Sequence, residues 1–161
     1  MKSVIKFSGL IAAVLAIVAF ILQLATPAIT NINLLITTGS VSGTTAIFGK
    51  GDDSALAWSA LLAWIFVLVS IVALCAVSIL PLLGIKALEK YENLILFCVA
   101  GLLLVSGIFM FIVLPVWWSA NGAGNNTAGS LGAGWIVGGI LSILAACCAG
   151  LKPASEILGK K

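Results

Sequence analysis

The sequence contains no histidine and no arginine, and only 8% of its 161 residues are charged. About a quarter of the residues in a typical soluble domain are charged, so the polar surface here is too small for a water-soluble fold. Without histidine and arginine, the chain lacks the side chains most used for haem or zinc ligation, proton transfer near neutral pH and bidentate phosphate binding. The composition therefore argues against most kinds of membrane enzyme.

Cysteine is also scarce, and it does not form a recognisable redox or disulfide pattern. The four cysteines all lie inside apolar runs: Cys75, Cys98, Cys147 and Cys148. There is no Cys-x-x-Cys pair, which argues against a membrane thiol oxidoreductase. The simplest interpretation is small apolar packing residues. The functional alternative is S-acylation of Cys147 and Cys148, near the end of the last apolar run.

Hydrophobic residues make up 62% of the chain and are grouped into four long runs. A helix needs roughly 20 apolar residues to cross the hydrocarbon core of a bilayer. The runs predict helices at about 7–25, 55–80, 94–114 and 131–151. We therefore predict an all-α membrane protein, a single domain over 1–161 formed by an up-down-up-down bundle of four transmembrane helices. The first run follows a basic start and could be a signal peptide, but it is longer than a signal core, so we expect a retained helix.

The segments between the runs predict two outer loops, one inner loop and a tail, at 26–54, 115–130, 81–93 and 152–161. In the first outer loop, residues 32–38 and 41–48 are β-prone and flank a turn at Gly39-Ser40, which predicts a small hairpin outside the membrane. An irregular loop on the bilayer surface is the alternative, because a lone hairpin is only marginally stable. The second outer loop is rich in glycine, and we expect it to be mobile.

Two short polar motifs lie in these loops. Asp52-Asp53-Ser54 precedes the second run and is expected to cap that helix and to place negative charge at the positive end of its dipole. The alternative, a divalent-cation site, would need further oxygen ligands. Asn125-Asn126-Thr127 matches the acceptor pattern for N-glycosylation. Neither motif has a catalytic partner, and we predict no metal and no cofactor.

The distribution of lysine predicts the orientation, since positively charged loops remain in the cytoplasm during insertion. With both termini inside, seven lysines are cytoplasmic and only Lys50 lies outside. Aromatic residues that favour the membrane interface agree with this arrangement. Four tryptophans are predicted as outer anchors and one tyrosine as an inner anchor: Trp58, Trp117, Trp118, Trp135 and Tyr91. We expect a multi-pass protein of the cell membrane.

The last run contains a glycine face formed by Gly134, Gly138 and Gly139, which should let another helix approach closely, in the same subunit or in a neighbour. No run contains an ionisable residue, so a coupled transporter is not expected. Nucleophiles lack a base or metal at a suggestive spacing, and we predict that the protein is not an enzyme. The lysines are dispersed along the chain, which gives no support for nucleic-acid binding.

This layout resembles the claudin and peripheral-myelin-protein superfamily of four-helix membrane proteins. The resemblance covers the whole chain and consists of a cytoplasmic N-terminus, a longer β-prone first outer loop, a short inner turn, a smaller second outer loop and a cytoplasmic tail. The resemblance implies a disulfide-stapled first outer loop and junction-forming activity. The tryptophan and paired-cysteine signature of the claudin first loop is not present in residues 28–54.

Three functions are compatible with these observations. The first is a non-catalytic structural or accessory protein that assembles with itself or with a larger membrane complex through helix packing and outer-loop contacts. The second is a subunit of an oligomeric pore lined by serine, threonine and glutamine. The third is a protein that binds a lipid or another small molecule in an apolar pocket between helices.

Overall fold

The structure is a computed structural model, and it describes residues 2–34, 37–51, 54–80, 89–121 and 129–158. The elements are α1 (Lys2–Ala25), β1 (Pro27–Leu34), β2 (Thr37–Ser42), α2 (Gly43–Phe48), α3 (Trp58–Ile79), α4 (Glu92–Phe111), α5 (Val113–Ala120), β3 (Ser130–Leu131) and α6 (Ala133–Leu158). A single 3-10 turn, Glu89–Tyr91, leads directly into α4. The chain is therefore mostly helical, with a small sheet.

Four of these helices are long and apolar enough to cross a membrane, judged by length and composition. The candidate spans are Phe7–Ala25, Trp58–Ile79, Glu92–Phe111 and Ala133–Ile157. The predicted four long apolar helices are confirmed, and they are compatible with an integral membrane protein. Large apolar side chains point outward along them, for example Val14, Val72, Leu104 and Ile140.

The interior of the helix bundle contains many small residues. α6 packs against α1 and α4, and α3 packs against the same two helices. Alanines are prominent among the fully buried residues, including Ala12, Ala16, Ala63 and Ala145. α4 and α6 approach closely where Gly107 faces Gly139, since a Cβ added at Gly107 would lie 2.9 Å from the carbonyl oxygen of Gly139. Small interior residues thus allow close helix packing, while the bulky residues remain outside.

The third apolar run is divided into two helices, which differs from the predicted single helix followed by a mobile loop. α4 ends at Phe111, and α5 follows after Ile112. Pro115 explains the division because it has no N–H to bond the carbonyl of Phe111 and its ring would clash with that carbonyl. Pro115 itself lies in the first turn of α5, where proline is tolerated. The prediction of a loop from residue 115 was therefore wrong for residues 115–120.

The predicted hairpin exists, but its position differs from the expectation. β1 and β2 are antiparallel, with Ile32 opposite Gly39 and Asn33 opposite Thr38. Gly39 and Ser40 therefore lie within β2 and do not form the turn. Residues 43–48 form α2, because Ser42 accepts a hydrogen bond from the N–H of Thr45 and begins a helix there. β1 also pairs with β3, so the sheet has three strands in the order β2-β1-β3.

Two helix ends also differ from the prediction. α3 begins at Trp58, and its N-cap position is Ala57, whose side chain cannot form a capping hydrogen bond. Ser54 is therefore too early to cap this helix, and Asp52 and Asp53 lie outside the described residues. α6 continues to Leu158 and includes most of the predicted tail. Contacts between its last turns and α4, such as the ion pair of Lys152 with Glu92, account for this extension.

Candidate functional site

Both predicted outer loops contribute to one structural unit at the end of the bundle, made of β1, β2, β3 and α2, which we call the cap. The third strand comes from the second loop, with Ile29 paired to Leu131 and Thr30 to Ser130. The hydroxyl oxygens of Thr30 and Ser130 are 3.0 Å apart. The cap therefore joins segments that lie about a hundred residues apart in the chain.

Two glycines seat the cap on the bundle: Gly43 packs against the end of α1, and Gly132, just before α6, packs against the start of β1. A Cβ added at Gly43 would lie 1.8 Å from the carbonyl oxygen of Gln23, and one at Gly132 would lie 1.9 Å from that of Pro27. Backbone hydrogen bonds form at both positions, from the N–H of Gly43 to Thr26 and from that of Gly132 to Ala28. Only glycine permits these approaches, so the cap is fixed firmly to the bundle.

Asn121 connects the end of α5 to the start of α3. Its Oδ1 accepts a hydrogen bond of 2.7 Å from the N–H of Ala55. Its Nδ2 donates to the carbonyl of Ala55 at 3.1 Å and to that of Trp117 at 2.9 Å. The side-chain amide of Asn121 thus bonds both the N–H and the carbonyl of Ala55, as the backbone of a neighbouring strand would. It holds the two outer segments together.

Aromatic rings fill the space where the cap meets the helices. Phe20 of α1 stacks on Trp64 of α3 at 5.9 Å, and Phe48 of α2 meets the same indole edge-on at 5.3 Å. On the other side of α3, Trp58 lies edge-on to Phe109 of α4 at 5.6 Å between ring centres. These contacts between rings add to the stability of the junction.

The predicted interface anchors have different environments. Trp58 and Tyr91 are each half exposed, at 50%. Trp117 and Trp118 have intermediate exposure on α5. Trp135 is fully buried in the core beneath the cap. The prediction that Trp135 anchors the chain in the membrane interface was therefore wrong, because a buried indole cannot reach the lipid.

The glycine face of α6 is occupied within this chain. A Cβ at Gly134 would lie 2.2 Å from Oγ1 of Thr26, and a Cβ at Gly139 would lie 2.9 Å from the Phe111 ring. Gly138 is less crowded and faces the side chain of Met110 at 3.4 Å. The three glycines thus pack against α1, α4 and the α1–β1 junction of the same chain, and do not form a surface for a neighbouring chain.

Polar side chains are buried in all four long helices. Gln23, Ser59, Ser70, Ser106 and Ser142 are each 0% exposed. Ser106 donates a hydrogen bond of 3.0 Å to the carbonyl of Ala63 and so links α4 to α3. Neither polar atom of the Gln23 side chain has a hydrogen-bond partner among the described residues. Because these groups are inaccessible to solvent, the bundle interior forms no open polar passage at them.

The cysteines and the remaining motifs show no assembled reactive centre. All four cysteines are free, with Cys98 and Cys147 exposed and Cys75 and Cys148 partly buried. Cys147 and Cys148 lie on α6 before its last turns, and Cys147 points away from the core. In the part of the chain that the structure describes, no group of three acidic or cysteine side chains could hold a metal ion. Asn125-Asn126-Thr127 lies outside the described residues.

Comparison with known proteins finds no matching family model and no matching curated protein.

Sequence reasoning missed the residues that hold the cap in place. Gly43, Gly132 and Asn121 lie at the ends of helices and strands, where glycine and asparagine are common for many reasons. Their partners are distant along the chain, and only the tertiary structure brings them together. Gly107 was also missed, although its position in the middle of an apolar run could have suggested close helix packing.

Proposed function

We propose that this chain is a multi-pass protein of the cell membrane with a non-catalytic, structural or accessory role. The observation that carries the proposal is the combination of four apolar helices, whose large side chains face outward, with a polar cap fixed to one end. An outward-facing apolar surface of this size suits a lipid environment. In this proposal the bundle holds the cap at a constant position, and the cap contacts other proteins or other copies.

The orientation belongs to the same proposal. Lys50 follows α2 in the cap, whereas Lys90 and Lys152 lie at the opposite end of the bundle, which is marked by the ion pair of Lys152 with Glu92. Lysine is retained on the cytoplasmic side. We therefore assign the cap to the outside and both termini to the cytoplasm, with the long helices in up-down-up-down order. The layout resembling the claudin superfamily supports this assignment.

The cap, and not the glycine face of α6, is the better candidate for lateral contacts. Gly134, Gly138 and Gly139 already pack within the chain, whereas the cap exposes Phe48 together with Ser40 and Ser42 of β2. β2 lies at one edge of the sheet and pairs only with β1 among the described strands. A free strand edge with polar side chains can accept another segment through its backbone.

A pore formed by several copies is a second candidate, favoured by the polar side chains that all four long helices contribute. Gln23 and the buried serines are closed off within a single bundle. Conduction would therefore require either a path between subunits or rearrangement of the helices. Current across bilayers containing the purified protein would support this candidate.

Two measurements test the leading proposal. Extraction of cell membranes with alkaline carbonate should leave the protein in the pellet, and release into the supernatant would contradict a membrane-spanning role. The mass of the particle in native lipid nanodiscs should then correspond to a discrete homo-oligomer or to a complex with other chains. A homogeneous monomer would contradict a structural or accessory role based on assembly.

A paired set of variants connects assembly to the cap. Phe48→Ser changes a side chain that is 54% exposed on the cap, and Val72→Ser changes one that is 63% exposed on α3. If the cap forms the contact, Phe48→Ser should reduce the assembled fraction and Val72→Ser should not. If Val72→Ser reduces the assembled fraction and Phe48→Ser does not, the contact lies on the outer surface of the helices.

A further inference from the structure

A groove lies between the first turns of α4 and the last turns of α6, at the end of the bundle opposite the cap. Its volume is about 300 Å³, and it is lined by Asn93, Leu94, Phe97, Pro153, Glu156 and Ile157. Leu94, Phe97 and Ile157 are 62%, 63% and 64% exposed, among the highest values for large apolar residues in the described chain. We call this site the α4–α6 groove.

The polar part of the groove is formed by Glu156 and Asn93. The Nδ2 of Asn93 donates a hydrogen bond to Oε2 of Glu156. Asn93 is neutral, so its amide leaves the charge of the carboxylate unbalanced. The nearby Lys152 forms its ion pair with Glu92 instead, and no described lysine pairs with Glu156. The groove therefore presents an anionic group beside an apolar surface.

The position of Glu156 makes a cationic partner favourable. α6 ends at Leu158, so Glu156 lies in the last turn of the helix. The C-terminal end of a helix carries partial negative charge, which repels a carboxylate and attracts a cation. A positive group bound at Glu156 would relieve this repulsion and would also form a charge-assisted hydrogen bond.

We propose that the α4–α6 groove binds a phospholipid with a primary ammonium headgroup. The ammonium group binds the carboxylate of Glu156, and an acyl chain lies along Leu94 and Phe97. Phe97 follows Asn93 by four residues, which corresponds to about 6 Å along the helix axis toward the centre of the span. The groove thus runs from a polar end to an apolar end, as the parts of a phospholipid do at the membrane interface.

The chemistry of the groove distinguishes among lipid headgroups. A primary ammonium has N–H donors that can bond the carboxylate, whereas a choline headgroup has a positive charge but no N–H donor. A glycerol headgroup has a net negative charge from its phosphate and is repelled by Glu156. We therefore expect binding to decrease in the order ethanolamine, choline, glycerol.

This inference depends on the membrane setting of the proposed function, and the experiment separates the two. The full-length protein is purified in detergent, and short-chain lipids with each headgroup are titrated while native mass spectra are recorded. The ethanolamine lipid should bind about tenfold more tightly than the glycerol lipid, as one charge-assisted hydrogen bond implies. Glu156→Gln should remove most of this preference.

Two further variants complete the test. Glu92→Gln frees Lys152 from its ion pair, one helical turn before Glu156 on α6, so Lys152 can neutralise the groove carboxylate and the preference should decrease. Phe97→Ala should weaken the binding of all three lipids to a similar extent, because the apolar contact does not depend on the headgroup.

Equal binding of the three lipids, or an unchanged preference in Glu156→Gln, would overturn the groove assignment. Retention of the protein in alkali-washed membranes together with equal lipid binding would overturn the groove alone. Release by alkali would overturn the proposed function.

Discussion

At the scale of single residues, the most consequential positions are glycines that face a backbone carbonyl. Gly43 and Gly132 both do so, at distances that no Cβ can occupy. Since the opposing atom belongs to the backbone of the α1–β1 junction, it cannot move aside as a flexible side chain would. These two residues therefore determine whether the cap can rest on the bundle.

We predict that Gly132→Ala lowers the free energy of unfolding by about 3 kcal/mol or more, because its Cβ would overlap the carbonyl of Pro27. Thermal unfolding in detergent measures this change. Gly101→Ala is the matched control, because nothing lies within 4 Å of its added Cβ on α4. The control should be neutral or slightly stabilising, since alanine favours helices over glycine by about 1 kcal/mol. Similar losses in both variants would contradict the close approach at Gly132.

At the scale of secondary structure, the long apolar helices were predictable from sequence, and the cap was predictable only in part. Length and hydropathy are local properties, and they located the helices within a few residues, except that α1 begins five residues earlier and α6 ends seven residues later than predicted. The β-prone character of the first loop was also local. The third strand was not predictable, because Ser130 pairs with Thr30 across the whole chain. The helix α5 was missed because the glycine-rich segment after it and Pro115 both suggested a loop.

The link between α5 and α3 yields a prediction at this scale. Asn121→Ala removes all three hydrogen bonds of the side chain, two of them to Ala55 and one to Trp117. The loss should be about 1.5–4.5 kcal/mol, because each of the three bonds contributes roughly 0.5–1.5 kcal/mol in net terms. Backbone amides around the start of α3 should exchange hydrogen faster, as measured by mass spectrometry.

A control at the opposite end tests whether this effect is local. Ser155→Ala removes one hydrogen bond, to the carbonyl of Lys152 within α6. It should leave exchange at the start of α3 unchanged. Asn121→Asp keeps the acceptor for the Ala55 N–H, but it places a carboxylate against the carbonyls of Ala55 and Trp117 at the end of α5, so its loss should be at least as large. Unchanged exchange in Asn121→Ala would show that α5 and α3 are held together by their apolar contacts instead.

At the scale of the whole molecule, the distribution of side-chain sizes between interior and surface is the reverse of that in a soluble helix bundle. Alanine and glycine occupy much of the interior, while many large apolar residues cover the outside. In water such a surface would aggregate, whereas in lipid it is well solvated, and close packing of small residues stabilises the bundle. The cap and the groove lie at opposite ends of the bundle, so the proposed membrane setting assigns them to opposite sides of the bilayer.

This arrangement predicts opposite accessibility for two exposed positions. In a variant whose four native cysteines are replaced by serine or alanine, Thr44→Cys places a thiol on α2 of the cap, and Ala154→Cys places one in the last turns of α6. A membrane-impermeant maleimide added to intact cells should label Thr44→Cys only. Ala154→Cys should react after the membrane is permeabilised, which shows that its thiol is accessible once the reagent can enter.

Labelling of Ala154→Cys alone in intact cells would invert the orientation inferred from the lysines and place the α4–α6 groove in the outer leaflet. Equal labelling of both variants in intact cells would mean that residues 44 and 154 lie on the same side of the membrane. This would contradict the proposed topology, in which three membrane crossings separate them.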